Sequence, residues 1–168
     1  MTSSSRRATG TASPGTSAPV KEAYAKKFGG PERAEQIIGH VTAVAAEEGL
    51  DFHMEKALRA NTLLAHRLLW LAEATGHQYA LKERLLKAYF VDGLDVGDPD
   101  VLADCAAEVG MPRDNALAFL ESDDGAEEVR AQLAFAAEAE ITAVPTFVID
   151  GRWAVPGAQD PDTFVTVV

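Results

Sequence analysis

Val144-Pro145-Thr146-Phe147-Val148-Ile149-Asp150-Gly151-Arg152, followed by Gly157-Ala158-Gln159, is the stretch on which the fold turns. Residues 146–149 and 152–155 are β-forming runs. Asp150 and Gly151 between them are a two-residue hairpin signal, because a tight hairpin turn needs positive φ at both central positions. Asp160 and Pro161 then open a last helix, of about two turns, that reaches Val168. A two-stranded hairpin is marginal alone in water, so this run implies a neighbour for its sheet.

Upstream of the hairpin the chain reads as helix. A run over 20–28 is stopped by Gly29 and Gly30, and Pro31 opens the next helix at its first position. Ala34, Ile37, Ile38, Val41, Val44 and Ala45 form the apolar stripe of that helix, which Gly49 ends. Leu50, Phe52 and Met54 alternate with Asp51 and His53, a pattern too short to separate a strand from a connecting segment. Asn61 is expected to cap a helix over 62–75. Its leucines, Leu63, Leu64, Leu68, Leu69 and Leu71, face more than one way and place it at the centre of a bundle. Further helices are expected over 78–92, 99–109 with Asp98 as cap, 112–121 and 125–138. Residues 20–140 thus form a helical block, and residues 141–168 the loop, hairpin and final helix. Residues 1–19 are rich in Ser, Thr, Gly, Ala and Pro and have almost nothing to bury, so they read as a disordered low-complexity tail.

The chain has 168 residues, enough for one domain with a real core. A net charge of -11 repels phosphate backbones and anionic lipid, so neither nucleic acid nor membrane is expected as a partner. No apolar run approaches the roughly 18 residues of a membrane span. The single cysteine, Cys105, cannot form an intramolecular disulfide, and Arg6 and Arg7 are not followed by an apolar leader segment. A cytoplasmic location is the expectation.

In its order, the 144–152 run resembles the closing half of DsbA-like thioredoxin-fold proteins. It looks most like the FrnE-like branch, whose relatives include 2-hydroxychromene-2-carboxylate isomerases. Further matches are Asn61-Thr62, Ala65-His66-Arg67-Leu68, Leu81-Lys82-Glu83-Arg84-Leu85, Ala88-Tyr89-Phe90, Val101-Leu102-Ala103-Asp104 and Glu128-Val129-Arg130. The resemblance covers 20–168. It implies an α/β fold, an incomplete thioredoxin-like one, with a large all-helical insertion, a C-terminal β-hairpin and a short helix. In the family a first βαβ unit carries Cys-x-x-Cys at a helix N-terminus. The low-complexity tail stands where that unit should be, so the expectation is a truncated or degenerate member without a catalytic pair. Thiol–disulfide exchange is the activity of complete members. A glutathione-dependent isomerase and a non-catalytic binding module are the rival expectations; no cofactor is expected, with glutathione possible as the thiol source of the isomerase rival.

The resemblance makes Pro145 the cis proline of the substrate loop, with Val144 and Thr146 beside it on an extended thiol or peptide substrate; without it, Pro145 is a plain strand-opening proline. Asn61 and His66 are the remaining substrate-contact candidates, although Asn61 is also a helix cap and His66 a candidate structural histidine. Cys105 shares an apolar helical face with Val101, Leu102, Ala106 and Val109, which reads as core packing rather than as a reactive thiol. His40, His53, His66 and His77 lack the spacing of a metal site on one helix. Asp92, Asp95, Asp98 and Asp100 do not fit a calcium loop and read as turn and cap residues. Trp70 and Trp153 read as packing residues, with Trp153 on the buried face of the hairpin. The hairpin edge, lacking a neighbour, is a candidate surface for self-association.

Overall fold

The computed structural model describes residues 17–167. Residues 1–16 of the expected tail lie outside the described residues. Its last two residues, Ala18 and Pro19, are structured: they form strand β1 (Ala18–Pro19), which pairs antiparallel with β2 (Leu58–Arg59). Val20 N–H extends that pairing by donating to the Ala57 carbonyl at 2.9 Å. No local pattern announced this two-residue sheet, because its strands lie some forty positions apart.

Helix α1 (Val20–Phe28) ends on Gly29 in the left-handed conformation, and α2 (Pro31–Glu47) starts with proline at its first position. Both helices have the bounds their glycine and proline signals suggest. The stripe of α2 buries Ala34 and Ala45, whereas Val44 is exposed. Residues 50–54 are neither strand nor helix. They lie against Phe90, with His53 N–H donating to the Phe90 carbonyl at 2.7 Å and the rings of Phe52 and Phe90 stacked at 4.3 Å.

Helices α3 (Leu63–Ala74), α4 (Gln78–Lys87), α5 (Pro99–Glu108) and α6 (Arg113–Glu121) form the main core, with α3 touching the other three. Leu68, Leu81 and Leu102 are fully enclosed there. Burial of each is worth about 1.5–3 kcal/mol. The expected continuous helix over 78–92 instead changes at its end: after Lys87 the chain takes a π-helical turn, Ala88–Asp92. Gly93 closes that turn at φ 71°, where an added Cβ would stand 2.5 Å from the Lys56 Cβ, so both backbone and space require glycine. A second, smaller cluster gathers Val20, Met54 and Ala57, and Tyr89 packs against both clusters.

Side-chain groups tie these helices together. The Asp98 carboxylate accepts from the N–H groups of Asp100 and Val101 at 2.8 and 3.3 Å, capping α5 as expected. Arg84 grips Glu108 through two nitrogens, at 2.6 and 3.1 Å, and Asp92 through the third, at 3.0 Å. Arg113 pairs with Asp104 and Asp100. Asp95 accepts from Gly97 N–H at 2.9 Å. Of the four aspartates read as turn and cap residues, Asp95 and Asp98 have those roles, whereas the carboxylates of Asp92 and Asp100 pair with Arg84 and Arg113.

The chain divides into two compact units, which meet in sequence at Ala126 and Glu127. The second unit holds nearly all of α7 (Ala126–Glu138), then β3 (Thr146–Ile149), β4 (Trp153–Pro156) and α8 (Pro161–Val167). β3 and β4 pair antiparallel from Thr146↔Pro156 to Ile149↔Trp153. Asp150 and Gly151 have φ of 52° and 64°, the left-handed pair the turn signal calls for. Arg152 N–H closes the turn on the Ile149 carbonyl at 3.0 Å, and register resumes one residue later, so three residues rather than two join the paired positions. Phe147 packs edge-on against Phe164 of α8 at 4.8 Å. Trp153 is 61% exposed, against the expectation of a buried face: alternation assigns a residue to one side of a sheet, but a sheet of two strands has little to cover that side.

Candidate functional site

The five residues singled out as substrate contacts fall in both units, and each set is described by itself. In the first unit, Asn61 stands just before α3. Its Oδ1 accepts from Leu63 N–H at 3.0 Å, so the capping role exists, one residue earlier than the geometric N-cap, Thr62. His66, on the first turn of α3, is exposed. It helps line a groove of about 360 Å³ whose other walls include Leu69, Leu85, Leu86 and Tyr89. The groove is almost wholly apolar, and the imidazole is one of its few polar groups. Its position follows from helical spacing, since Thr62, Ala65, His66 and Leu69 lie on one face of α3.

In the second unit, Val144 precedes β3 and is 91% exposed. The Val144–Pro145 bond is cis. The Pro145 carbonyl accepts from Gly157 N–H at 2.7 Å, and Thr146 Oγ1 donates to the Ala143 carbonyl at 2.6 Å. These two bonds fix the loop on either side of Val144. One edge of β3 is taken by β4, and among the described residues no other strand pairs with it. An extended chain could add there through its own backbone groups.

Cys105 is 1% exposed, in the main core beside Leu102 and Ala106. Burial pushes its thiol above the ordinary range, outweighing the opposite pull of Arg84. Such a thiol is a poor source of thiolate. Among the described residues no three His, Cys, Asp or Glu side chains gather as metal ligands, and no helix is long and apolar enough to cross a membrane. Trp70 stacks with Phe119 at 6.4 Å, and both rings close over Gly125.

Arg67 is a further residue of structural weight, beyond those singled out from the sequence. It is buried, and its guanidinium donates to the carbonyls of Phe119, Ser122 and Asp124 at 3.0, 2.6 and 3.0 Å, and to that of Leu120 at 3.4 Å. A charged residue amid the leucines of 63–71 was the available signal.

The sequence pattern of the DSBA-like thioredoxin domain matches residues 11–168. Among solved structures, a probable DsbA oxidoreductase from Streptomyces coelicolor superposes with a TM-score of 0.85 at 31% identity, covering 92% of this chain and 68% of that one. A Nitrosomonas europaea protein, provisionally described as a protein disulfide isomerase, gives a TM-score of 0.67 at 19% identity over 82% of this chain and 72% of its own, a likeness of fold. The uncharacterized protein YwbO of Bacillus subtilis is 39% identical over 90 residues, 53% of this chain. That match spans 44% of the Bacillus protein, less than half its length.

Proposed function

The chain belongs to the DSBA-like thioredoxin domain family, and from that premise we propose that its residues form the substrate-positioning part of a thiol–disulfide oxidoreductase fold without a redox pair of their own. Dithiol exchange needs a thiolate to attack a disulfide and a second sulfur to resolve the mixed disulfide. The observation that carries the reading is Cys105: it is the one cysteine of the sequence, enclosed in the core and held protonated. Val144, Pro145 and Thr146 offer an extended thiol or peptide ligand the edge of β3 that β4 does not take, and in the first unit His66 is a ligand contact in its groove, with Asn61 at the start of the same helix, outside the groove lining. The finer assignment, to the FrnE-like branch, rests on the order of motifs from Asn61-Thr62 to Val144-Pro145-Thr146-Phe147. A cytoplasmic setting belongs to the same proposal, on the single cysteine.

The test is turnover. Insulin reduction and oxidative refolding of a reduced substrate should stay at the buffer rate for the chain and for Cys105→Ser alike, while an extended cysteine peptide shifts the amides of 144–149. Turnover abolished by Cys105→Ser would overturn the proposal. Turnover that needs glutathione, survives Cys105→Ser and falls on Pro145→Ala would replace it with the isomerase reading. Peptide-induced shifts absent from 144–149 and gathered instead around the exposed Leu133, Phe135 and Trp153 would replace it with a binding module that docks through apolar surface.

A further inference from the structure

A second cavity of the first unit, about 390 Å³, opens beside α1 and β2, and its composition is unlike that of the chain. The sequence carries 26 acidic residues against 15 Lys and Arg, yet Lys26, Lys27 and Arg59 all line this cleft and no carboxylate does. Lysines in the last turn of a helix have an ordinary purpose, to oppose the partial negative charge of its carbonyl end. Arg59 reaches the same cleft from β2. The lysines of α1 are not all alike. Lys21, outside the cleft, is held by Glu35 at 2.6 Å, whereas Lys26 and Lys27 make no ion pair among the described residues, Lys27 lying over the Phe28 ring at 5.1 Å.

Two phenols complete the walls, Tyr24 and Tyr89. Burial first, and then the neighbouring Tyr24, raises the Tyr89 phenol, which keeps it an O–H donor at neutral pH. Tyr89 is carried on the π-helical turn, a distortion that often marks functional positions in helices. Its ring, with Val20 and Ala23, supplies the apolar part of the lining, and it also borders the groove of His66.

We propose that this cleft binds a small organic phosphate monoester: the phosphate sits among Lys26, Lys27 and Arg59 with phenol donors beside it, and the organic part lies against the tyrosine rings, Val20 and Ala23. A guanidinium fork matches two phosphate oxygens, and a dianion meets three cations better than a carboxylate does. The cavity is of a size for such a molecule. This site is independent of the thiol chemistry discussed above.

The test is titration of the full ¹⁵N-labelled chain with phenyl phosphate, benzoate and phenol, followed by amide shifts. Phenyl phosphate should give saturable shifts confined to α1, Arg59 and the Tyr89 turn, and bind at least about ten-fold more tightly than benzoate. The Lys26→Ala/Lys27→Ala double variant, altered only at exposed positions, and Arg59→Gln should each weaken it at least about ten-fold, with Lys21→Ala unchanged. Phenol binding as well as phenyl phosphate, shifts spread over the whole chain, or affinity indifferent to the double lysine variant would overturn the proposal. Benzoate binding as tightly as phenyl phosphate would overturn the choice of phosphate.

Discussion

Four backbone carbonyls converge on the guanidinium of Arg67 where α6 ends, and the Phe119 ring lies 5.3 Å from its central carbon. The last carbonyls of a helix have no partners within it, and here a buried cation supplies them, on the side of the helix dipole that favours positive charge. Arg67→Met should strip this donor from the carbonyls of Leu120, Ser122 and Asp124, Phe119 alone keeping the Ser122 hydroxyl at 2.8 Å, and lower stability by about 3 kcal/mol. Arg67→Lys should recover only part of that loss, because an ammonium has no planar fork to spread over several oxygens. Urea denaturation of the three proteins checks both statements, and an unchanged midpoint in the methionine variant would refute the role. The sequence shows a charge among leucines, but not its purpose: the acceptors lie 52 to 57 positions further on, beyond the reach of any local pattern.

Among the elements, those with chemical punctuation were legible. Proline and glycine signals bracket α1 and α2, and Asp98 marks the start of α5 by its own hydrogen bonds. Asp98→Ala should cost about 1 kcal/mol and lower the melting temperature by a few degrees, without changing the helix content at low temperature. A change too small to resolve would mean that water replaces the cap. Elements fixed by distant partners were not legible. The β1–β2 pair depends on residues separated in sequence by the whole of α1 and α2, and the π turn has the same apolar spacing as the α-helix it continues. In the candidate site, the face of α3 that carries His66 and the hairpin with its left-handed turn could be read from spacing and turn chemistry. The exposure of Trp153 could not, since alternation says which side a residue faces and not whether anything covers it.

At the scale of the whole molecule, the edge of β3 that no strand among the described residues pairs with invites a second strand, and Val148 of β3 is 53% exposed. Sedimentation should therefore show weight-average mass rising with concentration, and Val148→Lys should reduce the rise, because a charge on an exposed strand discourages edge-to-edge pairing. A constant monomer mass over the accessible range would refute this. The Arg84 clamp has another consequence, in acid. Its hold on Glu108 keeps that carboxyl below the ordinary glutamate value of 4.5, chiefly through the hydrogen bond. A depressed carboxylate lends its full stabilisation above the unfolded value, and loses it as pH falls through the folded one. The carbonyls gripped by Arg67 take up no proton over that range. Falling pH should thus slacken the exposed tie between α4 and α5 by only a small amount, because Leu81, Leu85 and Leu102 still pack between them, so acid titration should show a shallow loss of stability that Glu108→Gln removes.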